Sequence, residues 1–422
     1  MNHFMKFSSN NNIIMKYIPF LAKKKKINRI AFFVWEERTI DYYKEYINEF
    51  DQDEISIIVN DYIKKPVPLD SIPKSWHTAY NVTTLSQALS LNSFYKVAIS
   101  TGFQSISDDK NVMKFLARSF IYSYAMILEN SRFSNLIMRK FKKNISSNQL
   151  LKRFMIPPER KISENLIYFP RGLDFEENHP GDMRSRFFDS FLCHSYIDQK
   201  YVNKNTRKPS YLFGYPRYDI KSPSDTECKK KLIKEFNLPG DQEIIIWTPS
   251  RVDWQLDASG NIMTWLKSMS KVVLSGYSVI CRPHPHQMKS DPNLIRSIKS
   301  YGISVDLIES RVMSELYRGG ILTFADYGGT IFSSIYCKRP VILLNLFEHY
   351  QLAPFKRTDV LARKYLTNIN QESGKTEKIL RILSDINTEK DKMSLARSQL
   401  FVEGDDKLLM AKSSQHIKNL LN

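Results

Sequence analysis

Short apolar runs that alternate with helix-like segments are the feature that most constrains what this chain can fold into. Runs of this length are typical of strands buried on both faces of a sheet. Strands that alternate with helices predict βαβ units and a parallel sheet. The predicted strands are 29–35, 54–59, 96–100, 166–169 and 191–193 in the first half, and 243–247, 278–281, 304–308, 321–324 and 340–344 in the second.

Two such series within 422 residues predict an α/β protein with two Rossmann-like domains that face each other across a cleft. Turn-rich stretches at 221–225 and 238–241 separate the two series. The predicted organisation is a basic flexible leader (1–26), an N-terminal domain (27–220), a C-terminal domain (240–400) and a terminal helix (401–422).

The charge balance indicates an anionic partner. Lys and Arg number 62 against 44 Asp and Glu, a net charge of +18, which suits nucleic acid, a membrane surface or a phosphorylated small molecule. The four cysteines are scattered and form no CxxC pair. Neither a disulfide framework nor a metal site is therefore expected, and reduced thiols are the simpler interpretation.

The N-terminal region reads neither as a membrane span nor as a signal peptide. No run reaches the roughly 20 apolar residues of a spanning helix, and four lysines follow the apolar stretch 13–22 instead of preceding it. We expect a cytoplasmic protein. Basic and aromatic residues between 114 and 143 resemble an amphipathic helix pair that can lie on anionic lipid, at the inner face of the membrane; the alternative is a solvated surface over an ordinary core. No nucleic-acid-binding signature accompanies the charge.

A stiff basic loop follows the predicted strand 278–281. Residues 282–286 read Arg-Pro-His-Pro-His, and the prolines fix φ at two positions. Such a loop can hold an imidazole in one orientation, as acid–base catalysis or charge stabilisation requires. We predict that His284 is catalytic and that Arg282, whose planar fork suits phosphate, and His286 assist it. The alternative is a strand-end turn in which the histidines only cap the loop.

Two further strand ends carry glycines, hydroxyls and charge. Residues 325–330 read Ala-Asp-Tyr-Gly-Gly-Thr and precede a predicted helix, and residues 248–251 read Thr-Pro-Ser-Arg. Glycine allows close backbone approach, and a helix N-terminus attracts anions. Neither GxGxxG nor a Walker loop is present. The predicted ligand contacts are Asp326, Gly328, Gly329, Thr330, Ser250 and Arg251; a turn without a ligand is the alternative.

Taken in order, several motifs resemble the CDP-glycerol glycerophosphotransferase family, the polymerases and primases of teichoic acids and related capsular polymers. The resemblance runs from about residue 165 to the C-terminus and implies a GT-B fold. The motifs are Gly-Tyr-Pro-Arg-Tyr-Asp (214–219), Trp-Thr-Pro-Ser (247–250), Arg-Pro-His-Pro (282–285), Asp-Tyr-Gly-Gly (326–329) leading into 338–342, and Phe-Val-Glu-Gly-Asp-Asp (401–406).

The resemblance also implies roles for residues. It places His284 at the pyrophosphate and residues 326–329 at the donor phosphate, with two glycines where the family has serines. Arg171 stands where the family has a histidine that acts as base, and arginine stays protonated. Either Asp174, Glu176 or His179 then takes the place of that base, or the chemistry differs from that of the family. Gly172, His179 and Arg217 fall on the acceptor side, and Glu348 is either a ribose contact or a surface acid.

The implied activity is transfer of glycerol- or ribitol-phosphate from a CDP-activated donor to a surface-polysaccharide or lipid-linked acceptor, without metal or cofactor. Two alternatives stay open. One is a GT-B glycosyltransferase that uses a nucleotide sugar in capsule or lipopolysaccharide synthesis. The other is a degenerate, non-catalytic member of the family.

Overall fold

The structure is a computed structural model. It describes residues 25–61, 66–102, 158–170, 188–219, 223–250, 260–284, 292–308, 311–345, 362–402 and 406–421. The predicted leader up to residue 24 and the predicted amphipathic segment 114–143 lie outside the described residues.

The N-terminal lobe is built on a sheet of seven parallel strands in the order β3-β2-β1-β4-β5-β6-β7. The strands are β1 Lys25–Val34, β2 Ile55–Val59, β3 Asn81–Thr84, β4 Ser93–Ser100, β5 Ser163–Tyr168, β6 Ser190–Cys193 and β7 Ser210–Leu212. The helices are α1 Arg38–Tyr43, α2 Lys74–Ala79, α3 Leu85–Ser90, α4 Pro158–Lys161, α5 Tyr196–Thr206 and α6 Pro216–Asp219, with 3-10 turns at Tyr46–Glu49, Gln52–Glu54 and Leu69–Ser71.

The C-terminal lobe repeats this plan with six parallel strands in the order β10-β9-β8-β11-β12-β13. The strands are β8 Glu243–Thr248, β9 Tyr277–Cys281, β10 Ser304–Val305, β11 Leu322–Ala325, β12 Val341–Leu344 and β13 Thr367–Ile369. The helices are α7 Asp225–Phe236, α8 Gly260–Leu274, α9 Pro292–Ser300, α10 Met313–Gly319, α11 Gly329–Tyr336, α12 Lys375–Ser384, α13 Ile386–Leu400 and α14 Asp406–Asn419.

Both sheets are doubly wound, which is why the central strands read as continuous apolar runs. In β1, Ile30, Phe32 and Val34 enter the core on one face of the sheet, and Ala31 and Phe33 enter the core on the other. In the N-terminal lobe, successive strands are added to one side of β1 and then, from β4 onward, to its other side. In the C-terminal lobe the same change occurs between β8 and β11. Ligands of such sheets bind at these switch points, beyond the carboxyl ends of the strands.

The predicted strands are all present, with differences at the edges. β1 begins at Lys25, two residues inside the predicted leader, and Lys25 pairs with Ser93. The helix-like segment that follows β1 in the sequence forms the short helix α1 and then a separate 3-10 turn. β10 ends at Val305 because Asp306 turns into an ion pair. Strands β3, β7 and β13 were not predicted, because they are short and only partly buried and so lack a continuous apolar run.

The lobes are joined differently from the prediction. Helix α7 begins at a capping box between Ser224 and Glu227, in a stretch predicted as linker. Its Leu232 packs with Ile244 and Leu316, so α7 belongs to the C-terminal lobe. Helix α14, within the predicted terminal helix, returns to the N-terminal lobe.

The return of α14 is carried by contacts in the N-terminal core. Met410 and Ile417 belong to the same apolar core as the residues of β1 and β2, α14 contacts β7 and the 3-10 turn Tyr46–Glu49, and the hydroxyls of Ser413 and Tyr46 lie 3.0 Å apart. In the described part of the chain, no helix has the length and apolar character needed to cross a bilayer. The four cysteines are buried and form no disulfide.

Candidate functional site

The switch point of the C-terminal sheet joins the ends of β8 and β11 through one carboxylate. The backbone N–H of Ser250 donates to both oxygens of Asp326, at 2.9 and 3.1 Å. The N–H of Tyr327 donates to Oδ1 at 2.6 Å. Asp326 therefore holds the two loops at a fixed separation.

The Asp326 carboxyl is 2 % exposed. Burial raises its pKa from the ordinary value to about 6, although the nearby Ser250 side chain, the N–H groups of Ser250 and Tyr327 and the charge of Arg363 favour the charged form. The group therefore changes charge close to physiological pH.

Gly328 sets the direction in which helix α11 leaves this edge. It precedes the helix with φ +85° and ψ −168°, a conformation that side chains with a Cβ rarely adopt. A Cβ there would meet no atom within 4 Å, so the backbone conformation, and not space, favours glycine. Helix α11 begins at the carboxyl edge of the sheet, and the first amides of a helix have no acceptor in a preceding turn; in α11, the Ile331 N–H donates to Gly328 O at 3.4 Å.

Two hydroxyls at this edge are buried without a hydrogen-bond partner in the described structure: Ser250 Oγ and Thr330 Oγ1. An unsatisfied buried polar group costs about 1–3 kcal/mol, so such groups call for an explanation. Polar atoms of a bound ligand would supply the missing partners.

His284 lies at the same edge, after β9. The N–H of Arg282 donates to Trp247 O at 2.8 Å, which ties this loop to the end of β8. Pro283 is buried and His284 is half-buried. The imidazole thus follows a strand adjacent to the one that positions Ser250.

Arg282 is engaged within the fold. Its NH1 donates to Asp306 Oδ2 at 2.7 Å and to Ile308 O at 2.9 Å. Asp306 is fully buried and also accepts from Arg311 at 3.0 Å. The contacts of Arg282 therefore anchor the loop that carries His284, and we assign it a positioning role.

Two residues that support this site were missed by sequence reasoning. Arg363 is 8 % exposed; it donates to the carbonyl oxygen of Asp326 and to Asn345 Oδ1, and its guanidinium carbon lies 4.7 Å from the Tyr327 ring centroid. Asn345 directly follows β12, so it could have been predicted from the expectation that ligands bind beyond the carboxyl ends of the strands. Arg363 follows no predicted strand and carried no signal.

The switch point of the N-terminal sheet is filled by its own side chains. Trp35 Nε1 and Ser100 Oγ each donate to Glu159 Oε1 at 2.8 Å, and Ser100 Oγ accepts from the N–H of Gly102 at 3.1 Å. Trp35 is 7 % exposed, and Ser100 and Glu159 are fully buried. This crevice is closed by a hydrogen-bonded cluster, none of whose members was predicted.

The motif 214–219 lies at the joint between the lobes. An added Cβ on Gly214 would come within 2.0 Å of Asp406 Oδ1, so the close approach of α14 requires glycine there. The Tyr215 ring centroid lies 5.3 Å from that of Tyr336 in α11, and the Tyr218 centroid lies 6.5 Å from that of Tyr317 in α10, so both rings pack on the C-terminal lobe. These contacts hold motif 214–219 as a turn packed between the two lobes; the side chain of Arg217 lies outside the described residues.

A buried histidine was missed at the same joint. His194 Nδ1 donates to Gly214 O at 2.7 Å, and its ring lies 4.2 Å from the Tyr215 ring centroid. It lines a cavity of about 10 Å³ together with Phe169 and Pro170, which is room for about one water molecule.

The remaining predicted residues lie outside the described structure, and their roles stay predictions. No group of three or more His, Cys, Asp or Glu that could hold a metal occurs among the described residues. The predicted residues outside the described ranges are Arg171, Gly172, Asp174, Glu176, His179, Arg251, His286 and Glu348.

Solved structures share this fold at low sequence identity. The wall teichoic acid polymerase TagF, in a form soaked with CDPG, matches with a TM-score of 0.59 at 14% identity, covering 99% of this chain and 95% of that one. The structure of TagF itself matches with a TM-score of 0.58 at 13% identity and the same coverage. S. aureus MnaA with UDP matches with a TM-score of 0.52 at 12% identity, covering 94% and 97%. These matches confirm the predicted GT-B-like α/β fold.

A family model decides the family. The model described as CDP-Glycerol:Poly(glycerophosphate) glycerophosphotransferase matches residues 184–421, more than half of the chain. A search of curated proteins finds no match. The family match confirms the prediction of a glycerophosphotransferase-like transferase and does not favour the two alternatives. This chain belongs to the CDP-glycerol:poly(glycerophosphate) glycerophosphotransferase family.

Proposed function

We propose that the C-terminal switch point holds the CDP-activated donor, such as CDP-glycerol, during transfer of its polyol phosphate to a polymer or lipid-linked acceptor. The observation that carries this proposal is the pair of buried hydroxyls, Ser250 Oγ and Thr330 Oγ1, which have no partner in the described structure. They flank the N-terminus of α11, where backbone N–H groups favour anions. Gly328 and Gly329 let the donor phosphates approach these groups.

In the proposed reaction, an acceptor hydroxyl attacks the phosphorus that bears the polyol. A new P–O bond forms to the acceptor, the P–O bond to CMP breaks, and CMP leaves with the electron pair. The acceptor proton passes to a base. His284, oriented by Pro283 and by the ion pair between Arg282 and Asp306, stabilises the charge that develops on the pyrophosphate.

The acceptor side is assigned to the N-terminal lobe. Arg171, in place of a histidine, cannot accept the proton, so Asp174, Glu176 or His179 takes that role in this proposal. Gly172 and Arg217 lie on the acceptor's path, and Arg251, His286 and Glu348 contact the nucleotide. We place the protein in the cytoplasm, peripherally on the inner face of the cell membrane, since the segment 114–143 is basic and aromatic.

The test is a ligand screen followed by turnover. Thermal unfolding of the full chain is compared with CMP, CDP, UMP, UDP and GDP, because a ligand that binds only the folded state raises the midpoint. We expect the cytidine nucleotides to give the largest shift, and CMP to be released from CDP-glycerol when acceptor is added. A uridine preference would favour a nucleotide-sugar donor, and no shift with any nucleotide would favour the non-catalytic alternative.

A further inference from the structure

A basic cleft lies on the C-terminal lobe, remote from the candidate site. It has a volume of about 210 Å³ and is lined by Lys338, Met393, Ser394, Arg397 and Ser398, with no acidic residue among them. Lys338 follows the last turn of α11, whereas Gly329 begins the first turn. An α-helix rises 1.5 Å per residue, so the two ends of α11 lie roughly 12 Å apart.

The guanidinium of Arg397 lies at this cleft, and no described residue accepts a hydrogen bond from its Nε. Its guanidinium carbon stands 5.3 Å from the centroid of the buried Tyr336 ring. Its Nε is buried and has no hydrogen-bond partner in the described structure. The Nε of the nearby Arg339 is likewise buried without a partner in the described structure, but its NH2 pairs with Asp225 and also donates to Arg318 O at 3.2 Å. A half-buried guanidinium without an acceptor favours an anionic ligand.

Lys338 occupies a position where glycine is the usual residue. It follows the C-cap of α11 with φ +57°, and its N–H donates to Ile335 O at 2.9 Å. A glycine would end the helix with less strain, yet the chain places an exposed ammonium here. No described carboxylate forms an ion pair with it.

The two serines complement the cations. Ser394 Oγ donates to Lys390 O and Ser398 Oγ donates to Leu395 O, both at 2.9 Å. The single O–H of each serine is already donated to a backbone carbonyl, so the serine oxygen can act only as an acceptor for a ligand's hydroxyls. The buried Met393 adds an apolar wall. Donors for phosphate and acceptors for hydroxyls thus line one cleft.

We propose that this cleft binds a phosphopolyol unit of the acceptor polymer, away from the point of transfer. This proposal rests on the proposed function, since it assigns the ligand class from the polymer that the transferase extends. Lys338 and Arg397 hold the phosphodiester, and Ser394 and Ser398 accept from the polyol hydroxyls. The cleft keeps a growing chain attached between transfers.

The test measures binding of a synthetic glycerol-phosphate hexamer to the full chain at low ionic strength. Lys338→Gly and Arg397→Gln each remove one cleft cation. We expect each to raise the Kd by roughly three- to tenfold, as for charge-assisted contacts at a partly exposed site. Lys338→Gly also relieves the left-handed backbone, so loss of binding cannot be ascribed to unfolding.

Matched controls remove the same charge elsewhere. Arg207→Gly acts at an exposed residue with φ +56° after α5, and Arg381→Gln acts at an exposed arginine in α12. Both should change the Kd by less than about twofold, since they lie outside the cleft. Equal weakening by controls and cleft variants would overturn the proposal in favour of diffuse attraction.

Two further arms identify the source of the phosphate. The proposal would also be overturned if inorganic phosphate bound as tightly as the hexamer. The same holds if substitutions at Lys338 and Arg397 weakened binding to phosphatidylglycerol vesicles but not to the hexamer. Release of CMP from CDP-glycerol is followed in parallel with a single-unit acceptor. If the variants turn over CDP-glycerol normally and bind the hexamer as tightly as the wild type, the proposal for the cleft fails and the proposed function stands. If hexamer binding depends on Lys338 and Arg397 but the wild type releases no CMP, the proposed function fails and binding at the cleft stands.

Discussion

The two lobes share one topology, yet their switch points differ in what fills them. In the N-terminal lobe, Trp35 and Ser100 donate to the buried Glu159, and the crevice is closed. In the C-terminal lobe, Ser250 and Thr330 bury hydroxyls that no described residue satisfies. The same strand order thus provides two equivalent crevices whose side chains differ, and our proposal places the donor in the C-terminal one.

The largest expected effect tests the open crevice. His284→Ala should lower turnover by roughly 100-fold or more, the usual range for a group that acts in the transition state. Nucleotide binding, measured by thermal shift, should change little. His77→Ala is the matched control, since His77 is exposed in the N-terminal lobe and bonded to Leu69 O. Unchanged turnover of His284→Ala would remove the imidazole from the mechanism.

Removing a hydroxyl from the closed crevice should destabilise the protein. Ser100→Ala deprives Glu159 of a donor and the Gly102 N–H of its acceptor, which should cost about 2 kcal/mol of unfolding free energy. Urea unfolding of the full chain measures this. A stability equal to that of the wild type would contradict the view that the crevice is held shut by its own hydrogen bonds.

The same change in the open crevice should have the opposite sign. Ser250→Ala removes a hydroxyl without a partner, so the unliganded protein should gain up to about 1 kcal/mol. The donor nucleotide should bind roughly five- to tenfold more weakly, because one contact is lost. Comparing urea unfolding with and without CMP separates the two effects. Destabilisation of the unliganded protein would show that Ser250 Oγ is satisfied internally.

The smallest expected effect concerns the charge of Asp326. Burial raises its pKa in the folded protein to about 6, so the stabilisation from binding its proton is present at low pH and lost as the pH rises through about 6. From pH 7 to pH 5 the wild type should gain about 1 kcal/mol relative to Asp326→Asn. Urea unfolding at both pH values measures it, with the exposed Asp391→Asn as control. A difference independent of pH would contradict the raised pKa.

The central strands were predictable because a strand buried on both faces must be apolar throughout, as in residues 30–34. Edge strands such as β3 and β7 carry no such pattern, since they are only partly buried. The break between α1 and the following 3-10 turn likewise has no signal in the apolar periodicity.

The site was predictable where chemistry follows a strand directly. Ser250, His284 and Asp326 all stand just after apolar runs, and the structure brings Ser250 and Asp326 into contact across adjacent strands. The contacts of Arg282 and Arg363 were not predictable, because each bonds to partners more than fifteen residues away along the chain.

Local apolar periodicity by itself determined the doubly wound lobes, strand-end chemistry indicated the edge of the sheet that carries His284, and the order of the motifs indicated the family by resemblance. Only the tertiary structure decided that Glu159 closes one crevice, that Asp326 is buried enough to raise its pKa, and that α14 crosses back to the first lobe. The reason is physical: strand formation depends on neighbours in sequence, whereas burial and hydrogen-bond satisfaction depend on which distant segments pack together.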